Sequence, residues 1–532
     1  MKCILKIAAV FLATTIVIGS ASWAQDICAK PVPTKEGVIM GLSEPGSKVC
    51  SFKGIPYAAP PVGELRFKAP QPASPRKKIY QAFDFGPSCV QNEESSSGGK
   101  SKSFSEDCLS LNIFRPAKQG SFPVMFWIHG GNHTQGGSSY EIYNGAKLAG
   151  GRHVVVVTFN YRLDALGFLA LPELAKEDPK GSAGNYGLLD VLRALQWVHD
   201  NIEAFGGDPN NVTVFGESAG GALTCDVLAS PLAAGIFHRA IIQSGGCDLV
   251  SNLDMGHKGS RTLAEAVGCS GADALSCLRA KPAKELVGVK NTKFLAQPHA
   301  DGYALAGKPI DIIKQGNFNK VPVMVGSNKD EWNIVIAMTP GATLASRKTI
   351  TKKLRKALGA RVDDIFKMYS YNDYRRPVFL AGAIFADGFG SRAFAAAEEI
   401  SPYAPVYMYR FDWDDEKMGK NLGAFHGLDV LFVFGNMRFK PLLARIVFNK
   451  KVRKNAAPLS EKMMSYWSNF AKTGFPNASG LVKWPRYTTQ RRDRIHLDNN
   501  ISVAPLTAKD IERYRYFAAI SIEELIGNIE ED

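Results

Sequence analysis

The chain has 532 residues, 45% of them hydrophobic and 21% charged, with 50 Gly, 29 Pro and a formal net charge of +14. That profile belongs to a large globular protein with ample core, and it excludes disordered, collagen-like and multi-span membrane classes. Lys and Arg are scattered, with a modest cluster over 440–454 and no nucleic-acid-binding module, so the positive excess reads as solubility and a general attraction to anions.

Residues 1–24 read as a secretion signal. Lys2 and Lys6 form a positive start, Ile7–Ile18 is an apolar run broken only by two threonines, and Ser22-Trp23-Ala24 supplies small residues at −3 and −1. Cleavage before Gln25 leaves a mature chain, secreted or periplasmic, with no membrane span expected.

Strands are expected at Gly37–Gly41, Val49–Ala58, Leu111–Phe114, Val124–Ile128 and Val154–Tyr161, the last two nearly all apolar, as strands buried on both faces are. Tyr186–Phe205 has helical spacing, Val212–Phe215 is another apolar strand, and Ala219–Ala229 another helix. Arg239–Gln243 and Val321–Val325 continue the alternation, which predicts a mostly parallel central sheet flanked by helices. From about 342 to 400 the pattern is helical and irregular, before a strand at Val406–Asp412 and helices at Lys462–Lys472 and Ile511–Ala519. No linker or repeat is visible, so residues 25–532 are read as one α/β domain with helical insertions.

Of nine cysteines, Cys3 leaves with the signal and eight enter an oxidising compartment. Cys89 and Cys108 flank a Ser/Gly/Lys-rich stretch (93–100) that cannot hold itself by core burial, and Cys269 and Cys277 bracket a short helical segment. Both are expected as disulfides closing local loops. Cys28 with Cys50 is a further candidate pair, and Cys225 and Cys247 are expected as buried thiols. No Cys-x-x-Cys spacing appears, so a metal site has no support, and no cofactor is expected.

The informative spot is Gly216-Glu217-Ser218-Ala219-Gly220, between an apolar strand and a helix. A nucleophile elbow needs a turn so tight that flanking side chains would clash, and glycines at 216 and 220 relieve that crowding. Ser218 is then thrust clear of the backbone beside the helix N-terminus, where free N–H groups favour developing negative charge. A serine hydroxyl needs a base to take its proton. His129, His133, His153 and His199 precede Ser218, whereas the elbow fold runs serine, acid, histidine. Among the later ones His426 stands in Gly423-Ala424-Phe425-His426-Gly427, a small-residue loop after the strand at 406–412. By residue type alone His238, His257, His299 and His496 stay open. The acid should lie at the end of strand 321–325, where Asp330 and Glu331 are both candidates. Backbone donors for an oxyanion are expected in His129-Gly130-Gly131-Asn132, where small residues permit close approach, and at Ala219.

With these residues in place the chain resembles the type-B carboxylesterases, the group that includes cholinesterases and some fungal lipases within the α/β-hydrolase fold. The likeness runs from about 33 to 500. It rests on Phe52-Lys53-Gly54-Ile55-Pro56-Tyr57-Ala58, Pro60-Pro61-Val62-Gly63 with Arg66-Phe67, Ser105-Glu106-Asp107-Cys108-Leu109, Trp127-Ile128-His129-Gly130-Gly131 and Asn160-Tyr161-Arg162. It continues through Ala204-Phe205-Gly206-Gly207-Asp208-Pro209, the Ser218 elbow and Gln243-Ser244-Gly245. The resemblance implies Ser218 as nucleophile, His426 as base and Glu331, rather than Asp330, as acid. It also implies Glu217 and Ser244 as polar residues that buttress the site, and the N–H groups of Gly131, Asn132 and Ala219 as the oxyanion hole. Cys89–Cys108 and Cys269–Cys277 match two family disulfides, and Arg66–Glu106 and Arg162–Asp190 two structural ion pairs.

Three departures matter. Asn132 stands where Gly or Ala is usual, Trp332 replaces the small residue that follows the acid, and the 89–108 loop holds no tryptophan, which argues against a cholinesterase. That loop is polar rather than amphipathic, which favours soluble small-molecule esters over a lipase with a lid. Asn132-His133-Thr134 is a formal glycosylation sequon, expected to be unmodified because a glycan would block the hole. Pocket walls are expected around 294–305 and 365–392. A binding protein that keeps the fold without catalysis is the alternative of another class, and such proteins lack triad members, all of which stand here. The identity of the ester and the oligomeric state are not legible.

Overall fold

A computed structural model of the chain describes residues 27–92, 103–290, 292, 295–415, 419–437 and 448–520. The expected signal segment, the polar stretch 93–100 and part of the basic cluster lie outside the described residues.

The central sheet comprises, in chain order, β1 (Leu42–Ser43), β2 (Val49–Pro56), β3 (Ser110–Pro116), β4 (Phe122–Ile128), β5 (Val155–Phe159), β6 (Gly207–Glu217), β7 (Arg239–Gln243), β8 (Val323–Asn328), β9 (Val406–Phe411), β10 (Asp493–Leu497) and β11 (Ser502–Pro505). Their spatial order is β11-β10-β9-β8-β7-β6-β4-β5-β3-β2-β1. Strands β4 to β10 run parallel, and antiparallel pairs close both flanks. The mostly parallel α/β sheet is therefore as expected, while β10 and β11 extend it beyond the expected strands. The expected strand at Gly37–Gly41 forms at Gly37–Met40 but joins a separate small sheet.

Parallel strands are covered on both faces, and their alternation divides the core. Val124, Phe126, Ile128, Val212, Val214, Val323 and Val325 point to one side; Met125, Trp127, Phe215, Ile241 and Met324 point to the other. The first side is covered by α1 (Tyr186–Asn201), α2 (Ala219–Ala229) and α3 (Pro377–Ile400). The second is covered by α4 (Leu428–Phe434) and α5 (Lys450–Thr473), where Trp127 meets Phe215 at 4.8 Å and Phe434 at 5.0 Å between ring centroids. Each such aromatic pair adds about 0.5–1.5 kcal/mol to the area it buries.

Helix α5 begins well before the expected Lys462, because Lys450, Lys451, Arg453, Lys454 and the internal Pro458 mask the apolar periodicity of its first half. Helix α3 is long and apolar enough to cross a bilayer by length and composition. It is a core helix instead, packing on β8, β9 and the C-terminal helix α6 (Ala508–Ala518).

Four disulfides stand among the described residues: Cys28–Cys50, Cys89–Cys108, Cys225–Cys247 and Cys269–Cys277. The expectation of free thiols at Cys225 and Cys247 is corrected. Cys225 lies in the second turn of α2 and Cys247 in the loop after β7, and the packing of α2 over β7 brings their Cα atoms within 5.1 Å. The two ion pairs form as the resemblance implies: Arg66 Nε donates to Glu106 Oε2 at 2.7 Å, and Arg162 Nε to Asp190 Oδ2 at 2.8 Å.

Candidate active site

Strand register sets the site. Gly216 of β6 aligns with Ile128 of β4 and Ile242 of β7, and Gln243 aligns with Gly326 of β8. The four strands therefore end at one edge, and the loops leaving them carry His129–Asn132, Ser218, Ser244 and Glu331. Loops beyond the carboxyl ends of parallel strands are where α/β folds place their sites.

Ser218 occupies the turn between β6 and α2 with φ 58° and ψ −124°, a conformation costly for any residue with a side chain. Its N–H donates to Gln243 O at 2.9 Å, and its carbonyl accepts from Ala222 N–H at 3.0 Å, so the strained turn is anchored at both ends. A Cβ at position 220 would strike Ile128 O and one at 216 would strike Gly220 O, which accounts for both glycines of the elbow. The fully buried helix α2 then starts directly under the serine.

Across from the elbow, Gly131 has φ 111° and Asn132 and His133 have φ 54° and 56°. Gly130 is pressed against the elbow so closely that a Cβ there would meet Glu217 O at 2.7 Å and Ser218 Cβ at 3.1 Å. Gly131 O accepts from Thr134 and Gln135 N–H, both at 3.0 Å, which curls the loop. Among the described residues the N–H groups of Gly131, Asn132 and Ala219 donate to no protein acceptor. Unpaired N–H groups of this kind are what stabilises a developing negative oxygen in acyl transfer. The Asn132 side chain is exposed, while His129 lies beneath, stacked on Tyr161 at 4.4 Å.

His426 follows β9 in the small-residue loop. Its Nδ1–H donates to Glu331 Oε2 at 2.6 Å, and Glu331 Oε1 accepts from Ser244 Oγ–H at 2.6 Å and Asn328 N–H at 2.7 Å. Asp330 points elsewhere: it accepts from Ala424 N–H at 3.1 Å and so holds the backbone of the loop that presents the imidazole. His426 Nε2 lies 3.2 Å from Glu217 Oε1, and no hydrogen bond joins it to Ser218. Burial would push His426 down, but the Glu217 and Glu331 carboxylates outweigh it and push it up to about 10. Burial pushes Glu217 up to about 8; the His426 cation opposes that, and the Asp429 and Glu331 carboxylates add to it. The imidazole is thus poised between two buried carboxylates, one on each nitrogen.

A network beneath the site was not legible in the motifs. Asp429, buried in the otherwise apolar helix α4, accepts from Gln243 Nε2 at 2.8 Å, Tyr409 Oη at 3.2 Å and Asn328 Nδ2 at 3.3 Å. Trp467 Nε1 donates to Gln243 Oε1 at 3.0 Å, linking α5 to the elbow's floor. The signal that could have found Asp429 is a lone carboxylate in the apolar run Leu428–Phe434. Among the other histidines, His299 is buried and hydrogen-bonded to Ser251, and His496 pairs with Asp412, so neither joins the site. Among the described residues no cluster of His, Cys, Asp and Glu suits a metal ion.

A serine on a strained turn, an imidazole anchored by a carboxylate and three free N–H groups are a set suited to acyl transfer. Known proteins carry the same frame. The model of the Carboxylesterase family matches residues 29–514. The para-nitrobenzyl esterase of Bacillus subtilis is 36% identical over 489 residues, covering 89% of this chain and 95% of that protein. The fumonisin B1 esterase of Sphingopyxis macrogoltabida is 36% identical over 482 residues, covering 87% and 85%. A crystal structure of the Geobacillus stearothermophilus carboxylesterase superposes with a TM-score of 0.80 at 32% identity, covering 92% of this chain and 99% of that one. With match, fold and geometry in agreement, this chain belongs to the carboxylesterase family and is a carboxylic-ester hydrolase of the α/β-hydrolase fold.

Proposed function

We propose that the protein is a secreted or periplasmic esterase that cleaves soluble small-molecule esters through a Ser218 acyl-enzyme, with Glu331 and His426 completing the triad. The observation that carries this reading is the 2.6 Å bond from His426 Nδ1 to Glu331, made at the strand edge that also presents the Ser218 elbow. In the reaction the imidazole, after losing its Nε2 proton to water, turns that nitrogen from Glu217 to Ser218, takes the hydroxyl proton as Oγ attacks the ester carbonyl, and becomes an imidazolium again, steadied by Glu331. The tetrahedral oxyanion rests on the N–H groups of Gly131, Asn132 and Ala219; each such donor is worth about 3–4 kcal/mol in the transition state. His426 then protonates the departing alcohol. Water repeats the cycle on the acyl-enzyme, which restores Ser218 and releases the acid. Ser244 holds Glu331 in place, and Glu217 holds the resting imidazole.

Residues 25–532 act as one catalytic domain, and export through the 1–24 signal is supported by four disulfides that need an oxidising compartment. The test is an organophosphonate active-site label followed by peptide mapping. Labelling at Ser218 is expected; folded protein that takes no label there would instead be the non-catalytic binding member of the family.

A further inference from the structure

Helix α3 presents Phe385, Phe389 and Arg392 at the spacing i, i+4, i+7, one stripe of a helix. The two aromatics are half-buried against the site: Phe385 stacks on Trp332, the residue after Glu331, at 5.0 Å, and Phe389 meets the His426 ring at 5.1 Å. Arg392 lies one turn further along, about 4.5 Å down the axis. Its side chain is only 5% exposed. One donor is used, Nη1 to Gly388 O at 2.7 Å. Among the described residues the buried Nε and Nη2 find no hydrogen-bond partner, and Nη2 is ion-paired with Asp248 Oδ2 at 3.3 Å. Asp248 Oδ1 is unpartnered as well.

A guanidinium carries five N–H donors, and leaving two faces of it dry and unpaired costs stability unless something else meets them. What they face is the loop that leaves β7. A Cβ on Gly246 would touch Arg392 Cδ at 2.9 Å and Asp248 Oδ1 at 2.6 Å, so this glycine lets the arginine lie on the loop. Two residues earlier Ser244 bonds Glu331, and Gly245 packs on Gly221 in the first turn of the nucleophile helix. Arg392 therefore lies one turn beyond Phe389, the member of the aromatic stripe that meets the His426 ring. Its Nε–Nη2 edge, where Nη2 is ion-paired with Asp248 at 3.3 Å, has the fork geometry that matches a carboxylate in two parallel bonds, which a point-charge lysine would not supply. The chain's net charge of +14 favours the arrival of such a ligand.

The geometry points to esters that carry a free carboxylate, with Arg392 as the residue that reads that group and Asp248 as the partner it leaves to do so. This substrate class rests on the esterase reading above. An apolar ester would leave the guanidinium with only Gly388 O and the Asp248 carboxylate; an anionic one fills its Nε–Nη2 edge. Asp248, a quarter exposed at its side chain, is free to turn to water when the substrate carboxylate replaces it.

The test compares the secreted full-length enzyme on 4-nitrophenyl butyrate, on mono-4-nitrophenyl glutarate, whose carboxylate is in the acyl half, and on 4-carboxyphenyl butyrate, whose carboxylate is in the alcohol half. Wild-type enzyme is expected to show a higher kcat/KM on one of the two charged esters than on the neutral one, and which one identifies the half that is read. Arg392→Gln is expected to lower that charged-to-neutral ratio about tenfold or more, chiefly through KM, and Asp248→Asn to raise it. Arg392→Lys should restore part of the ratio, keeping charge without the fork. Should Arg392→Gln fail to fold, the Asp248→Asn and Arg392→Lys ratios decide. Equal loss on all three esters in the Arg392 variants, or a wild-type ratio at or below one for both charged esters, overturns the inference while leaving the esterase reading intact. Absence of turnover on every ester overturns both.

Discussion

Glu331 and Glu217 stand on opposite nitrogens of one imidazole, and their surroundings differ. Glu331 takes hydrogen bonds from His426, Ser244 and the Asn328 backbone, so both its oxygens are committed and its place is fixed. Glu217 is also buried, yet among the described residues its Oε1 has no hydrogen bond and only the His426 Nε2 at 3.2 Å. The first arrangement is that of an anchor, since a carboxylate tied on every side turns the ring without moving with it. The second is that of a competitor, a group on the nitrogen that the proposed reaction gives to Ser218.

Removing the parts of the reaction itself has the largest expected effect. Ser218→Ala and His426→Ala should each lower kcat by about 10^4-fold or more while circular dichroism and melting stay close to wild type. Wild-type turnover in either variant would break the assignment of both carboxylates, because neither has a task without the imidazole and its serine. Next comes the anchor: Glu331→Gln should cost about 10^3–10^4 in kcat by losing the tautomer and the steadied imidazolium. If the competitor were the true anchor, Glu217→Gln would show that loss instead.

The third variant, Glu217→Gln, sharpens the contrast through pH. Glu217 is the foremost of the groups that raise His426, and turnover needs the neutral imidazole. Removing the carboxylate lowers the histidine's pKa, so the acid limb of kcat/KM should move to lower pH by about one unit. An unmoved limb would mean that the ring leaves Glu217 before it titrates. The smallest effect on chemistry belongs to the floor of the site: the paired variant Cys225→Ala/Cys247→Ala should lose about 3 kcal/mol against urea and keep its kcat at permissive temperature.

Much of the frame was legible because parallel strands are continuous apolar runs and the elbow glycines have a steric reason that any sequence shows. Ser218, His426 and the free N–H groups of Gly131, Asn132 and Ala219 meet at one sheet edge because strand order and register bring together loops far apart in the chain. Residue type left Asp330 and Glu331 open; only side-chain direction separates a carboxylate on the ring from one on the loop backbone. The Cys225–Cys247 bond was not legible because its separation of 22 is shared by Cys28–Cys50 and says nothing about which helix lies over which strand. The resting contact of Nε2 with Glu217 was hidden for a related reason, since a rotamer is chosen by neighbours that spacing does not name. Arg392 is buried by neighbours that the spacing of its helix does not name.

The sulfur link between α2 and the loop after β7 ties the helix under Ser218 to the segment that carries both Ser244 and Asp248. A laboratory strain that makes this chain in its reducing cytosol would deliver enzyme with that tie undone. Preparations of the same mature chain from cytosol and from periplasm should then differ in shelf life and heat tolerance although their masses differ by only a few hydrogens, so the choice of expression host becomes a structural variable of its own.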